Sequence, residues 1–127
     1  MARGISFEGI GSNFTTFNLD ATTKAVADLD SSLVINKAVT ITGNQEVGFG
    51  SDGDKFFGVI DVYEDGYVGV QDQGYRENVP SVSGSVPTYG TTSLVVDGSG
   101  NIKASGTVPT RGIIIESDTD SVTVLIG

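Results

Sequence analysis

Apolar and polar residues alternate along most of this chain with the two-residue period of a strand. Leu33, Ile35, Val39 and Ile41 share one face of such a run, broken by Lys37, and Gly43-Asn44 then marks a turn. Val47 and Phe49 alternate with Gly48 and Gly50 before a second turn at Asp52-Gly53-Asp54. Phe56–Tyr63 predicts a strong strand, with Phe57, Val59 and Tyr63 on one face and Phe56, Ile60 and Val62 on the other. Apolar residues on both faces place it centrally, covered from two sides. Asp65-Gly66 separates it from Tyr67–Gln71, and Asp-Gly between two β runs predicts a tight hairpin because both turn positions must accept positive φ. Gly74–Val79 reads as a third strand of the same meander.

Residues 80–92 hold Pro80, Pro87, Gly84 and Gly90 and read as a connecting loop. Ser93–Val96 and Ile102–Ala104 flank a tight turn at Asp97–Asn101. Gly112–Glu116 and Ser121–Ile126 predict a closing hairpin, in which Val122, Val124 and Ile126 alternate with Ser121, Thr123 and Leu125. Short strands spaced by turn signals predict an all-β fold, a small barrel or a compact sandwich, as one β domain over residues 19–127.

Two stretches depart from this period. In residues 1–18, Ile5, Phe7, Ile10, Phe14 and Phe17 are interrupted by Gly4, Gly9, Gly11 and Asn13, and no single period survives. The stretch reads either as a frayed terminus or as an N-terminal arm that docks on a partner through Arg3, Ile5, Phe7, Phe14 and Phe17, and Phe14–Phe17 also suits a short strand. Residues 19–32 are open between two readings. Asp20 caps a short helix over Ala21–Leu29 with Val26 and Leu29 on one face, or the segment is a loop with one helical turn, since Asp28 and Asp30 oppose the dipole of a helix ending there.

Composition narrows the chemistry. The 127 residues contain no Cys and no His, which excludes disulfides, thiolate or imidazole metal sites, and Ser-His or Cys-His catalysis. Sixteen acidic against seven basic side chains give a net charge of −9, so nucleic acids and anionic membranes are repelled. No run approaches the ~20 apolar residues of a membrane helix. The start, Met1-Ala2-Arg3-Gly4, lacks the apolar stretch of a secretory signal, so the expected place of synthesis is a cytoplasm.

The remaining candidates are carboxylates and tyrosines. Asp52, Asp54, Glu64, Asp65, Asp72, Asp118 and Asp120 fall where turns are predicted, and turn carboxylates bind their own backbone more readily than they form a glycosidase pair. Ser51–Asp54 and Asp97–Asn101 carry oxygen ligands but lack the spacing of a calcium loop. Tyr63, Tyr67, Tyr75 and Tyr89 offer a sugar-stacking platform or, more simply, cross-strand packing. The seven cations are scattered and read as solvated charges. No catalytic, metal or cofactor residue is assigned.

Three runs carry a resemblance. They are Lys37–Asn44 with Val47–Asp54 and Phe57–Ile60, then Leu94–Ala104, then Arg111–Ile115 with Val122–Leu125. Over residues 24–127 the chain resembles the small capsid decoration (cement) proteins of tailed bacteriophages. The resemblance implies a tulip-like β barrel, a homodimer or homotrimer, a seat on the outer surface of the major capsid protein shell, and no enzymatic activity. It implies a virion protein made in a bacterial cytoplasm. The other readings are a tail or head-completion protein, a carbohydrate-binding module and a carboxylate hydrolase.

Overall fold

The computed structural model describes residues 12–105 and 109–127. They form a mixed α/β domain, mostly strand, with one α-helix. The strands are β1 (Asn13–Leu19), β2 (Ala38–Gly43), β3 (Glu46–Gly48), β4 (Gly58–Glu64), β5 (Tyr67–Pro80), β6 (Leu94–Val96), β7 (Ile102–Ala104), β8 (Gly112–Ser117) and β9 (Ser121–Ile126), and the helix is α1 (Ala21–Leu29). No helix among the described residues is long and apolar enough to cross a membrane.

The helix corrects the all-β expectation. The Asp20 carboxylate accepts the Thr23 N–H at 2.8 Å, which satisfies a free donor of the first turn. Its buried face is Thr23 and Ala27, with Val26 half-buried, whereas Leu29 points outward and is 84% exposed. The strand predicted from Leu33 starts only at Ala38. Ser31–Leu33 is a 3-10 turn capped by Asp30, and Asn36 sits at φ 65°, a conformation that Asn tolerates and that interrupts regular strand geometry.

Five strands close a ring: β1 pairs with β3, β3 with β2, β2 with β4, β4 with β5, and β5 back with β1. The β1–β3 pairing is parallel and the other four are antiparallel. The predicted β4–β5 hairpin is present, with Asp65 at φ 53° and Gly66 at φ 89° at its tip. The two strands predicted after it are one. β5 runs for 14 residues and bends at Gly74 (φ 111°) and at Asn78 (φ 58°), where its register with β9 shifts. Its second half leaves the ring and carries β9 and β8.

Alternation along β4 and β5 builds two cores on the two sides of one wall. Ile60, Val68 and Val70 face the ring side with Leu19, Val39 and Val47, where Ala27 and Val34 close over them. Val59 faces the other side and joins Phe56, Val79, Leu94, Ile102, Ile114 and Val124 under the β6–β7 hairpin. β4 is thus covered on both faces at Val59 and Ile60, but the expected face sets are not kept: the strand starts at Gly58, Phe56 packs with Val59, and Phe57 and, past the bulge between Ile60 and Val62, Tyr63 pack with Ile60.

The domain boundary at residue 18 cuts through β1. Residues 14–18 pair with β5 at every position, so this part of the predicted arm belongs to the ring wall.

Candidate functional site

Most of the candidate carboxylates are engaged in turns and strand pairing, while Asp20 and Asp54 line the same cleft beside the N-terminus of α1. Asp97 accepts the Ser99 and Asn101 N–H groups and the Asn101 side chain. Burial opposes its charge, but these bonds together outweigh that and hold its pKa below the ordinary carboxylate value. Asp54 accepts the Ser51 N–H and Asp118 the Thr119 N–H, which is local turn chemistry. Two positions differ from the expectation: Glu64 ends β4, and Asp72 lies inside β5, where it accepts bonds from Asn13 and Thr15 of β1. No group of three potential metal ligands occurs among the described residues.

The tyrosines do not form one platform. Tyr63 pairs with Val68 while Tyr67 pairs with Glu64, so the two take opposite faces of the hairpin. Tyr63 donates its hydroxyl to Asp28 at 2.5 Å, and Lys24 binds the other Asp28 oxygen at 2.7 Å. Lys24 first and Tyr63 second hold the Asp28 carboxyl below its ordinary range, and Asp28 in turn pushes the Tyr63 hydroxyl up. This solvent-exposed triad pins α1 to β4.

The cations are less free than the sequence predicts. Arg76 binds Asp61 at 2.7 Å, the Asn36 side-chain oxygen at 2.6 Å and the fully buried Gln71 at 3.3 Å. Gln71 also donates to the Gln73 and Tyr75 carbonyls, and Asn36 to those of Glu77 and Asn78. Together these groups satisfy the backbone that the bend in β5 leaves unpaired. Arg111 lies 4.9 Å above the Phe57 ring and donates to the Asp72 carbonyl, and Lys103 pairs with Asp52.

Two surface features remain. The first is an outer strip of the ring wall. The registers Asn18–Tyr67–Glu64 and Thr16–Gly69–Val62 put these side chains on one face of β1, β5 and β4. Phe14, Val62 and Tyr67 on this face are 49%, 56% and 56% exposed. Val62 leans over Gly69, where an added Cβ would meet it at 3.0 Å. The second feature is a pair of open clefts that share Ile41 and Asp54. One, about 650 Å³, lies between β2 and the segment 54–57, with Arg111 at its rim. The other, about 730 Å³, lies at the N-terminus of α1 and is lined by Thr22, Thr42, Phe49 and Ser99.

Of the predicted arm residues, Arg3, Ile5 and Phe7 lie outside the described residues. Phe14 presents its ring on the outer strip. Phe17 turns inward, packs on the ring core and meets Phe57 edge-on at 5.5 Å, so it is a wall residue rather than a grip. Sequence reasoning missed the strip because its members sit on three strands whose registers, with a bulge between Ile60 and Val62, are not readable from spacing. Compared with family models and with characterised proteins, the chain finds no match.

Proposed function

We propose that this protein is a virion structural component that decorates and stabilises a capsid from outside, binding the major capsid protein. The reading rests on the resemblance of its turn-and-strand runs to phage decoration proteins, and a mostly-strand domain with a ring of five strands is compatible with it. The structural observation that supports it best is the outer strip of Phe14, Val62 and Tyr67. A rigid wall that presents apolar side chains to water is suited to a protein partner. The net charge of −9 suits a surface facing away from packaged nucleic acid. A small contact repeated over a symmetric shell gains strength from the number of copies when those copies also associate as dimers or trimers.

The test is co-sedimentation with expanded shells of a tailed-phage major capsid protein. Saturable binding at a copy number near that of the capsid protein is expected, and Phe14→Ser with Tyr67→Ser should weaken it at least about tenfold, since a lost apolar anchor costs on the order of 1–3 kcal/mol. Absence of binding at saturating protein would contradict the reading. A copy number of a dozen or fewer per particle would favour a tail or head-completion role instead.

A further inference from the structure

Two of the chain's seven cations, Lys55 and Arg111, line the same cleft, the one between β2 and the segment 54–57. Each is positioned by its own surroundings. Lys55 bridges to Val95 through its backbone, flanked by the bonds from Phe56 to Leu94 and from Val96 to Asp54. The Arg111 guanidinium lies 4.9 Å over the Phe57 ring and donates to the Asp72 carbonyl at 2.8 Å. Phe57 in turn meets Phe17 edge-on, so the ring wall fixes the platform on which Arg111 lies. A guanidinium carries further N–H donors in a planar fork, the shape that matches a carboxylate. Much of the remaining wall is apolar, from Ile41, Phe56, Phe57 and Pro109, with the Thr40 side chain among them. Asp54 also lines the cleft, but its carboxylate accepts the Ser51 N–H at 2.8 Å, and Ser51 belongs to the neighbouring cleft.

We propose that this cleft binds a small carboxylate with an apolar body, of the class of a medium-chain fatty acid. Its volume of about 650 Å³ falls within the roughly 300–1,000 Å³ of small-molecule sites, and an apolar wall with a few convergent polar groups is their usual make-up. The charges decide the ligand class. Two cations against one carboxylate disfavour a cationic ligand. The apolar wall leaves a phosphate or nucleotide without the hydrogen bonds that its buried charge needs. A net charge of −9 also repels multiply charged anions at long range, and a single carboxylate suffers that least. In the bound state the carboxylate takes the Arg111 fork with Lys55 beside it, and the apolar body covers Ile41 and Phe57. Binding uses the N–H edge of the guanidinium and the stack on Phe57 uses its face, so the two are compatible. The inference concerns the isolated protein and stands or falls independently of the shell.

Octanoate is the probe, titrated into the full-length protein and followed by NMR at the Ile41 methyls and the Phe57 ring. Both should shift saturably. Octanamide, which keeps the body and loses the charge, should bind at least about tenfold more weakly, the size of one charge-assisted hydrogen bond. Arg111→Gln should weaken octanoate by a similar factor, and Lys55→Gln should weaken it less. Lys103→Gln, whose lysine pairs with Asp52 rather than lining the cleft, should bind as the unmodified protein does. Far-UV dichroism checks that each variant is folded, and if Arg111→Gln is not, Lys55→Gln carries the test. The proposal is overturned by the absence of a saturable shift, by saturable shifts that leave Ile41 and Phe57 unmoved, or by equal binding of octanoate and octanamide. Equal binding by the unmodified protein and the folded cleft variants, or an equal loss in Lys103→Gln, would overturn it too.

Discussion

The two ends of the sheet system treat exposed backbone in opposite ways. β8 is an edge strand, yet its centre is covered: Ile114 donates to Thr91 and accepts from Gly90, and Ser117 binds the Pro87 carbonyl. The loop of residues 87–91 thus blunts an edge that would otherwise template pairing with another chain. At the other end, the pairing of β2 with β4 covers Ala38 and Val39, and an open cleft lies between β2 and the segment 54–57. The difference teaches that the cleft is not an unavoidable by-product of a short sheet. Among the described residues, the same chain closes one edge with a loop and leaves the other beside an open cleft.

The comparison supposes that both ends belong to one cooperative body joined by the wall of β4 and β5, and substitutions can break that supposition. The largest effect is expected at Phe56, 1% exposed, which belongs to the outer core and also lines the cleft. Phe56→Ala should cost about 3–5 kcal/mol, measured by urea unfolding, with one transition by both tyrosine fluorescence and far-UV dichroism. Two separated transitions would show that the halves fold independently. Gln71→Ala comes next. It strips the bend of β5 of a buried partner to Arg76 and to the Tyr75 carbonyl and should cost about 1–3 kcal/mol. Amide exchange should quicken in β9 as well as in β5 if the bend holds the two ends together.

Asp20→Ala removes the helix cap and should cost about 1 kcal/mol, with exchange rising in α1 and not in β8. The smallest effect is expected for Tyr63→Phe, at the exposed triad. Its signature is pH. The Asp28 pKa is lowered on folding, so its contribution is present above the ordinary carboxylate range and is lost as pH falls through the lowered folded value. The Tyr63 pKa is raised, so its contribution is present below the ordinary tyrosine range and is lost as pH rises through the raised folded value. Tyr63→Phe should flatten α1 exchange at both extremes and change little near neutrality.

How much of this was legible in the sequence follows from which forces are local. The Asp65-Gly66 hairpin, the Asp97–Asn101 turn and the β8–β9 hairpin are fixed by turn chemistry and alternation, and the sequence predicts all three. The helix was legible through Asp20, but Leu29 was assigned to the wrong face, because a nine-residue helix carries too few apolar positions to define its stripe. β5 read as two strands because Gly74 and Asn78 look like breaks, and only the Arg76–Gln71–Asn36 network shows how one strand bends through both. The ring and the cleft were invisible for a common reason. Each depends on which strands become neighbours, and β1 joins β3 and β5 across long stretches of chain that no local pattern encodes.

The proposed role in a capsid is tested most directly by the temperature at which expanded shells disrupt. Shells saturated with this protein should disrupt several degrees higher than bare shells, and saturation with the Phe14→Ser/Tyr67→Ser variant should recover little of that shift. An unchanged disruption temperature with the unmodified protein bound at saturation would contradict the account.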